Sequence, residues 1–335
     1  MSLQSKFGHP ARKHAEDTLT RLTAFLADDL AAVDELIHKA LESQIGLTSE
    51  IGRYLETTSG KRLRPMLTVL ASQVGGQGSE KAHYAAAMVE LLHVASLLHD
   101  DVIDRAPTRR GHPTVNSRWG NEVAILMADY IYAHAWAVAL EWLSADLLAI
   151  LCRVAAGMCD GEMFQIEKRD QLLSEQDYLF IIRCKTAGLF SASLQLGAAL
   201  GGAEENAVRA LERYGLEFGC AFQITDDVLD FVADPRVLGK EIGTDIACGK
   251  QTLPLIHALG KAEADDRTLL VAALNNGSPS PSAVDRVTRY GGIEYAMVVA
   301  RRHAQQARAC LSELPDGPVC GFLRDLTELV VNRAH

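Results

Sequence analysis

Two short acidic clusters carry the most pointed chemistry in this chain. Asp100, Asp101 and Asp104 lie in LLHDDVID, and Asp226, Asp227 and Asp230 lie in AFQITDDVLDF. On a helix, residues four apart share a face one turn above each other. Asp100 therefore pairs with Asp104 and Asp226 with Asp230, each pair flanked by a third carboxylate. Both clusters sit in apolar helical stretches, where an isolated carboxylate is costly to bury. Six carboxylates on two inward-facing helices repel one another unless cations neutralise them. Oxygen ligands without His or Cys favour Mg²⁺, which keeps water ligands and bridges to substrate phosphates. A solvated helix end explains one such triplet. Two copies, each behind an apolar run and followed by basic residues, point instead to carboxylate walls holding Mg²⁺ and a phosphorylated ligand.

The cations are concentrated near these clusters. GKRLRP (60–65) places Lys61, Arg62 and Arg64 at the opening of a helix, with Gly60 for flexibility and Pro65 suited to the first turn. A helix N-terminus carrying three cations is an anion site. Arg109 and Arg110 follow the first acidic triplet, Lys185 heads an uncharged run, and Lys240 and Lys250 lie beyond the second triplet. Singly, each reads as an ordinary surface charge. Together they exceed what one phosphate group needs and suit two diphosphates, one held through metal and one by cations alone. His93, two turns before Asp100, reads from the residues alone as a core histidine. No nucleophile triad, Walker sequence or GxGxxG fingerprint appears, which argues against a nucleotide as the phosphate source.

Positioning these groups requires helices. Apolar residues recur at three- and four-residue spacing through most of the chain, and alternating β-branched runs are absent. The spacing predicts an amphipathic start over 17–41, then helices over about 63–75, 80–104, 117–143, 145–172, 176–201, 204–233, 251–262, 281–290, 292–312 and 317–333. Turn chemistry breaks them at 57–62, 74–80, 106–113, 201–206, 233–250 and 275–282. No repeat or linker composition interrupts the pattern. This implies one all-α domain over 1–335, with residues 1–12 expected to be disordered and the segments 80–104, 117–143, 176–201 and 204–233 inside the bundle.

With 335 residues, 48% of them hydrophobic, the chain can bury a large core. Its net charge of -10 argues against a nucleic-acid partner. Seven scattered cysteines without a CxxC pair read as reduced thiols of a cytoplasmic protein. The N-terminal stretch lacks the apolar core of a signal peptide. The longest uncharged run, 186–203, contains Gly188, Gly197, Gly201 and Gly202 and reads as a buried core helix of a soluble protein.

In order and in kind, these motifs resemble those of the all-trans polyprenyl diphosphate synthases. LLHDDVID with the following RRG is similar to that family's first aspartate-rich motif, and FQITDDVLD to its second. GKRLRP, GEMFQ (161–165), KTAGLF (185–190) and GKEIGTDIACGKQTLPL (239–255) also match, so the likeness spans nearly the whole chain. The resemblance implies about a dozen helices around a central cavity, in a homodimer. It further implies Mg²⁺-dependent, head-to-tail condensation of an allylic diphosphate with isopentenyl diphosphate. By the same resemblance, Asp100, Asp101, Asp104 and Asp226, with Asp227 and Asp230 nearby, hold Mg²⁺ (three ions once diphosphate is bound) on the allylic diphosphate. Arg109, Lys185 and Lys250 would contact that group, with Lys240 close by. Lys61, Arg64, His93 and Arg110 would bind isopentenyl diphosphate. The Lys185 carbonyl, Thr186 and Gln223 would face the allylic carbocation. Two positions depart from the family pattern: Ala128 stands where Gly is usual, and Cys248 where Glu is common.

Ser96 and Ala95 precede Asp100 by four and five residues, about 5.4 Å down the helix. The resemblance implies that aromatic residues here limit product length and small ones let the tail pass, with Trp136 as an aromatic floor lower down. A long product is expected, beyond four isoprene units, leaving towards a membrane. The alternatives are a farnesyl or geranylgeranyl diphosphate synthase, a terpene cyclase, and a non-catalytic partner subunit. Intact GKRLRP, His93 and Arg110 disfavour the cyclase, which binds one diphosphate; two complete aspartate motifs disfavour the inactive partner.

Overall fold

The periodic apolar pattern is realised as helices along most of the chain. The computed structural model describes residues 10–76, 78–232, 242–277 and 280–332, with side chains from 17 onward. The first half carries α1 (Pro10–Phe25), α2 (Ala27–Leu41), α3 (Gly46–Thr57), α4 (Leu63–Ser72), α5 (Glu80–Ile103), α6 (Val115–Trp119) and α7 (Asn121–Trp142). Then come α8 (Ala145–Glu167), α9 (Glu175–Ile182), α10 (Gly188–Leu200) and α11 (Glu205–Val232). Further helices cover Thr244–Ala247, Leu253–Lys261, Ala264–Leu274, Pro281–Arg289, Gly292–Cys310 and Pro318–Asn332. The expected fold class is therefore found, with more helices than the expected dozen. Segments read as continuous are split: 17–41 divides around Leu26, and 117–143 breaks at Gly120, whose φ is 91°. Three helices, α3, Thr244–Ala247 and Ala264–Leu274, were not anticipated from periodicity. A two-stranded antiparallel hairpin, β1 (Thr108–Arg109) and β2 (His112–Pro113), occupies a segment read only as a turn. Strands of two residues have no period to detect.

The chain divides into two compact units. One comprises Leu22–Ala155 and Ala192–Glu212. Its centre is α5, which runs antiparallel to α7. The pair is held in register by a stack of Tyr84 on Trp142, with centroids 4.3 Å apart, and by His99 on Asp129 at 3.3 Å. In the same unit, Cβ atoms built on Gly197 of α10 and on Gly201, just past its end, would fall 2.0 and 1.9 Å from the Thr68 and Ser72 carbonyl oxygens of α4. The uncharged run thus packs helix on helix, as its glycines predict. The second unit comprises Met1–Arg21, Ala156–Ser191 and Arg213–His335. Tyr178, Ile182, Ala187, Cys220, Ile224, Val228 and Leu253 form part of its core.

Candidate functional site

In the first unit, α4, α5 and the hairpin gather cations around a pocket lined by Tyr54, Gly60, His93, Asp101, Arg109 and Arg110, among others. The hairpin explains how adjacent arginines serve different places. Arg109 lies in β1 and turns onto Asp101, its Nε at 2.9 Å and Nη2 at 2.8 Å from Oδ1. Arg110 and Gly111 form the two-residue loop at φ 53° and 79°, and positive φ at both positions defines a type I′ turn. The Arg110 guanidinium lies against Gly60, where an added Cβ would come within 2.6 Å of it. Gly60 therefore provides space rather than the flexibility expected of it. Among the described residues, those other than glycine at positive φ are Arg62, Arg105 and Arg110. Each costs conformational energy that the surrounding packing must offset.

Arg64 Nη1 lies 3.1 Å from His93 Nε2. A guanidinium only donates, so Nε2 accepts and the imidazole proton sits on Nδ1. Burial, followed by the charges of Arg64, Arg110, Arg109 and Arg62, holds His93 well below the ordinary imidazole value. Burial also pushes Arg64 down to about 10, while Glu90 opposes the change and Arg110 adds to it. Cations crowded this closely prepare a site for an anion. Arg62, by contrast, is held by protein carboxylates: Glu90 at 3.0 Å and Asp34 at 3.3 Å. Lys61 is exposed beside Gly60.

In the second unit the chain enters a π-helical turn over Arg183–Ala187, between α9 and α10. Such turns are rare and recur at functional sites. Glycines on neighbouring helices make room for it: a Cβ on Gly161 would lie 2.7 Å from Cys184 Cβ, and one on Gly219 would lie 2.5 Å from Ala187 Cα. Lys185 in this turn pairs with Glu162 and reaches Gln165 Oε1 at 3.2 Å. Those partners belong to GEMFQ, whose acid was not singled out as a site residue. Thr186 donates to Gln223 Oε1 at 2.8 Å. Lys250 follows the short helix Thr244–Ala247 and donates its backbone N–H to Asp245 at 2.8 Å. Cys248 is exposed there and Ala128 is fully buried in α7. Lys240 lies outside the described residues.

The six aspartates divide by environment. Asp101, Asp227 and Asp230 are buried and receive protein donors. For Asp101 the donor is Arg109, for Asp227 they are Tyr178 and Gln223, and for Asp230 it is the Asp245 backbone N–H at 2.9 Å. Burial first, then the nearby Asp245 charge, pushes Asp227 above the usual carboxylate range. Asp104 and Asp226 are exposed and Asp100 is half-buried. Among the described residues no three candidate ligands close around one point. An all-oxygen set with few protein ligands fits Mg²⁺, whose remaining positions go to water and phosphate. Ala95 is buried on α5, and the Ser96 hydroxyl donates back to the His93 carbonyl at 2.8 Å. Trp136 packs edge-on against Tyr132 at 5.9 Å on α7. The α5–α7 register sets that aromatic pair one to three turns below Asp100.

The sequence model of the family described as Polyprenyl synthetase matches residues 46–290. The chain is 37% identical over 316 residues to an octaprenyl diphosphate synthase of Haemophilus influenzae, covering 92% of this chain and 96% of that one. It is 36% identical over 320 residues to heptaprenyl diphosphate synthase component 2 of Geobacillus stearothermophilus, covering 95% and 99%. Among solved structures, a polyprenyl synthase from Caulobacter crescentus, complexed with calcium and isoprenyl diphosphate, superposes with a TM-score of 0.89. Its sequence identity is 32%, with 95% of this chain and 98% of that one covered.

Proposed function

This chain belongs to the polyprenyl synthetase family, and from that premise we propose that it elongates an allylic diphosphate with isopentenyl diphosphate, head to tail, to a long all-trans product. The observation that carries the reading is the Arg64–His93–Arg110 cluster, whose two guanidinium groups beside a neutral imidazole suit a diphosphate held without metal. A cyclase, with one diphosphate to bind, has no use for it. In this reading Lys61, Arg64, His93 and Arg110 bind isopentenyl diphosphate, while Arg109, Lys185 and Lys250 bind the allylic diphosphate. Asp100, Asp104 and Asp226 would hold Mg²⁺, which when bound neutralises charge on the departing pyrophosphate. The allylic C–O bond breaks, and the cation formed faces the oxygens of Lys185, Thr186 and Gln223. The double bond of isopentenyl diphosphate then forms the new C–C bond. A proton passes to the pyrophosphate, restoring an allylic diphosphate for the next round.

Small residues at Ala95 and Ser96 support passage of the tail past the turn of α5 that precedes Asp100, with Tyr132 and Trp136 lower down. On α7, Leu126 and Leu140 are each 68% exposed and, with Ala133 between them at seven-residue spacing, form an apolar face. That helix is also long and apolar enough to cross a membrane, with a third of its most apolar window buried. A homodimer in the cytoplasm covers such a face, and the greasy product is handed on to a membrane. A second reading, in which another chain covers it, is favoured by the name component 2 borne by two relatives. The test is incorporation of labelled isopentenyl diphosphate into lipid by the purified chain, with farnesyl diphosphate and Mg²⁺. Incorporation that stops on chelation or on omission of either diphosphate supports the reading; no incorporation sinks it.

A further inference from the structure

The second aspartate motif contains a residue that its place in the motif does not explain. Asp227 follows the exposed Asp226, yet it is buried, and both of its oxygens are already engaged. Tyr178 Oη donates to Oδ2 at 2.6 Å, and Gln223 Nε2 donates to Oδ1 at 2.8 Å. The Gln223 carbonyl end in turn accepts from Thr186 Oγ1 at 2.8 Å. Gly215, Gly219, Gln223 and Asp227 recur every four residues on α11, so they share one face. The two glycines admit close packing: a Cβ on Gly215 would lie 2.6 Å from Ser191 Cα, and one on Gly219 would lie 2.5 Å from Ala187 Cα. The two polar residues that continue the row then reach the π-helical turn and α9.

The row fixes the direction of every hydrogen bond in it. Asp227 accepts from both sides, so the amide nitrogen of Gln223 faces Asp227 and its oxygen faces Thr186. Thr186 must then spend its only proton on Gln223, which leaves its lone pairs for other partners. With the opposite polarity, Thr186 would accept from Gln223 and turn an O–H dipole outward, the wrong sign to meet a cation. We propose that Tyr178 is a positioning residue for the prenyl-transfer step: through Asp227 and Gln223 it locks the Thr186 oxygen with its lone pairs turned to the allylic cation. This rests on the proposed function and adds to it a residue outside every quoted motif.

Tyr178→Phe keeps the ring that packs with Ile182, Ala187 and Cys220 and removes only the hydroxyl. The measurement is the single-turnover rate of the first condensation at saturating diphosphates, in a cycle with Thr186→Val. Tyr178→Phe is expected to slow the wild type about tenfold, but to slow the Thr186→Val protein less than twofold. The concentrations of both diphosphates at half-maximal rate should stay within twofold. Equal slowing in both backgrounds, or a rise in half-saturation without slowing, overturns the proposal. Should Tyr178→Phe not fold, Asp227→Asn enters the same cycle with the same expected pattern, because its amide lets Gln223 turn over. Wild-type protein that condenses nothing overturns the underlying function and this proposal with it, a result distinct from additive slowing in an active enzyme.

Discussion

At Arg110 the proposed binding role is set against folding. The first position of a type I′ turn suits Asn or Gly, and an arginine there is strained by about 1 kcal/mol. It is also crowded by Arg109 and Arg62, with burial as the largest influence pulling its guanidinium below the usual value. Arg110→Asn should therefore unfold no more easily than the wild type, and up to about 1 kcal/mol less easily, in urea. The same change should raise the KM for isopentenyl diphosphate at least tenfold; unchanged KM would remove Arg110 from that site. His93 gives a pH test. Its folded value lies below the ordinary 6.5, so below that pH the unfolded chain binds the proton more readily and the folded state loses stability. Melting temperature should fall faster below pH 6.5 for the wild type than for His93→Gln, and parallel curves would contradict the assignment.

At the scale of elements, α5 carries His93, the first aspartate motif and the first turn of the proposed tail path. Ala95→Phe should shorten the product while leaving turnover measurable; an unchanged distribution would show that position 95 does not face the tail. Much of this element was legible in the sequence, because carboxylates and cations interrupting an apolar 3.6-residue period are conspicuous. The end points of α5 and α11 fall within a residue of the expected ones. Pairings that depend on tertiary approach were not legible. Glu90 with Arg62 and Tyr178 with Asp227 are separated by 28 and 49 residues, and no local pattern joins them. The hairpin at 108–113 was hidden for a different reason, since the turn chemistry of RRG gives no sign that two residues on each side pair. The π-helical turn was hidden too, because 176–201 is apolar nearly all round, so the shift of phase made by an extra residue leaves no visible break.

For the whole molecule, the proposed function gives the exposed apolar face of α7 a role in assembly. Leu126→Asp combined with Leu140→Asp should convert a dimer of about twice 36.4 kDa into monomer by light scattering. A wild type that is already monomeric would favour the reading with a second subunit. The central claim, processive head-to-tail growth to a long chain, is tested most directly by product size. The purified protein is incubated with farnesyl diphosphate, labelled isopentenyl diphosphate and Mg²⁺, and the dephosphorylated products are resolved by chromatography. Products longer than four isoprene units are predicted. Labelled products that end at four units or fewer would contradict the long-chain claim, and an unlabelled lipid fraction would contradict prenyl transfer itself.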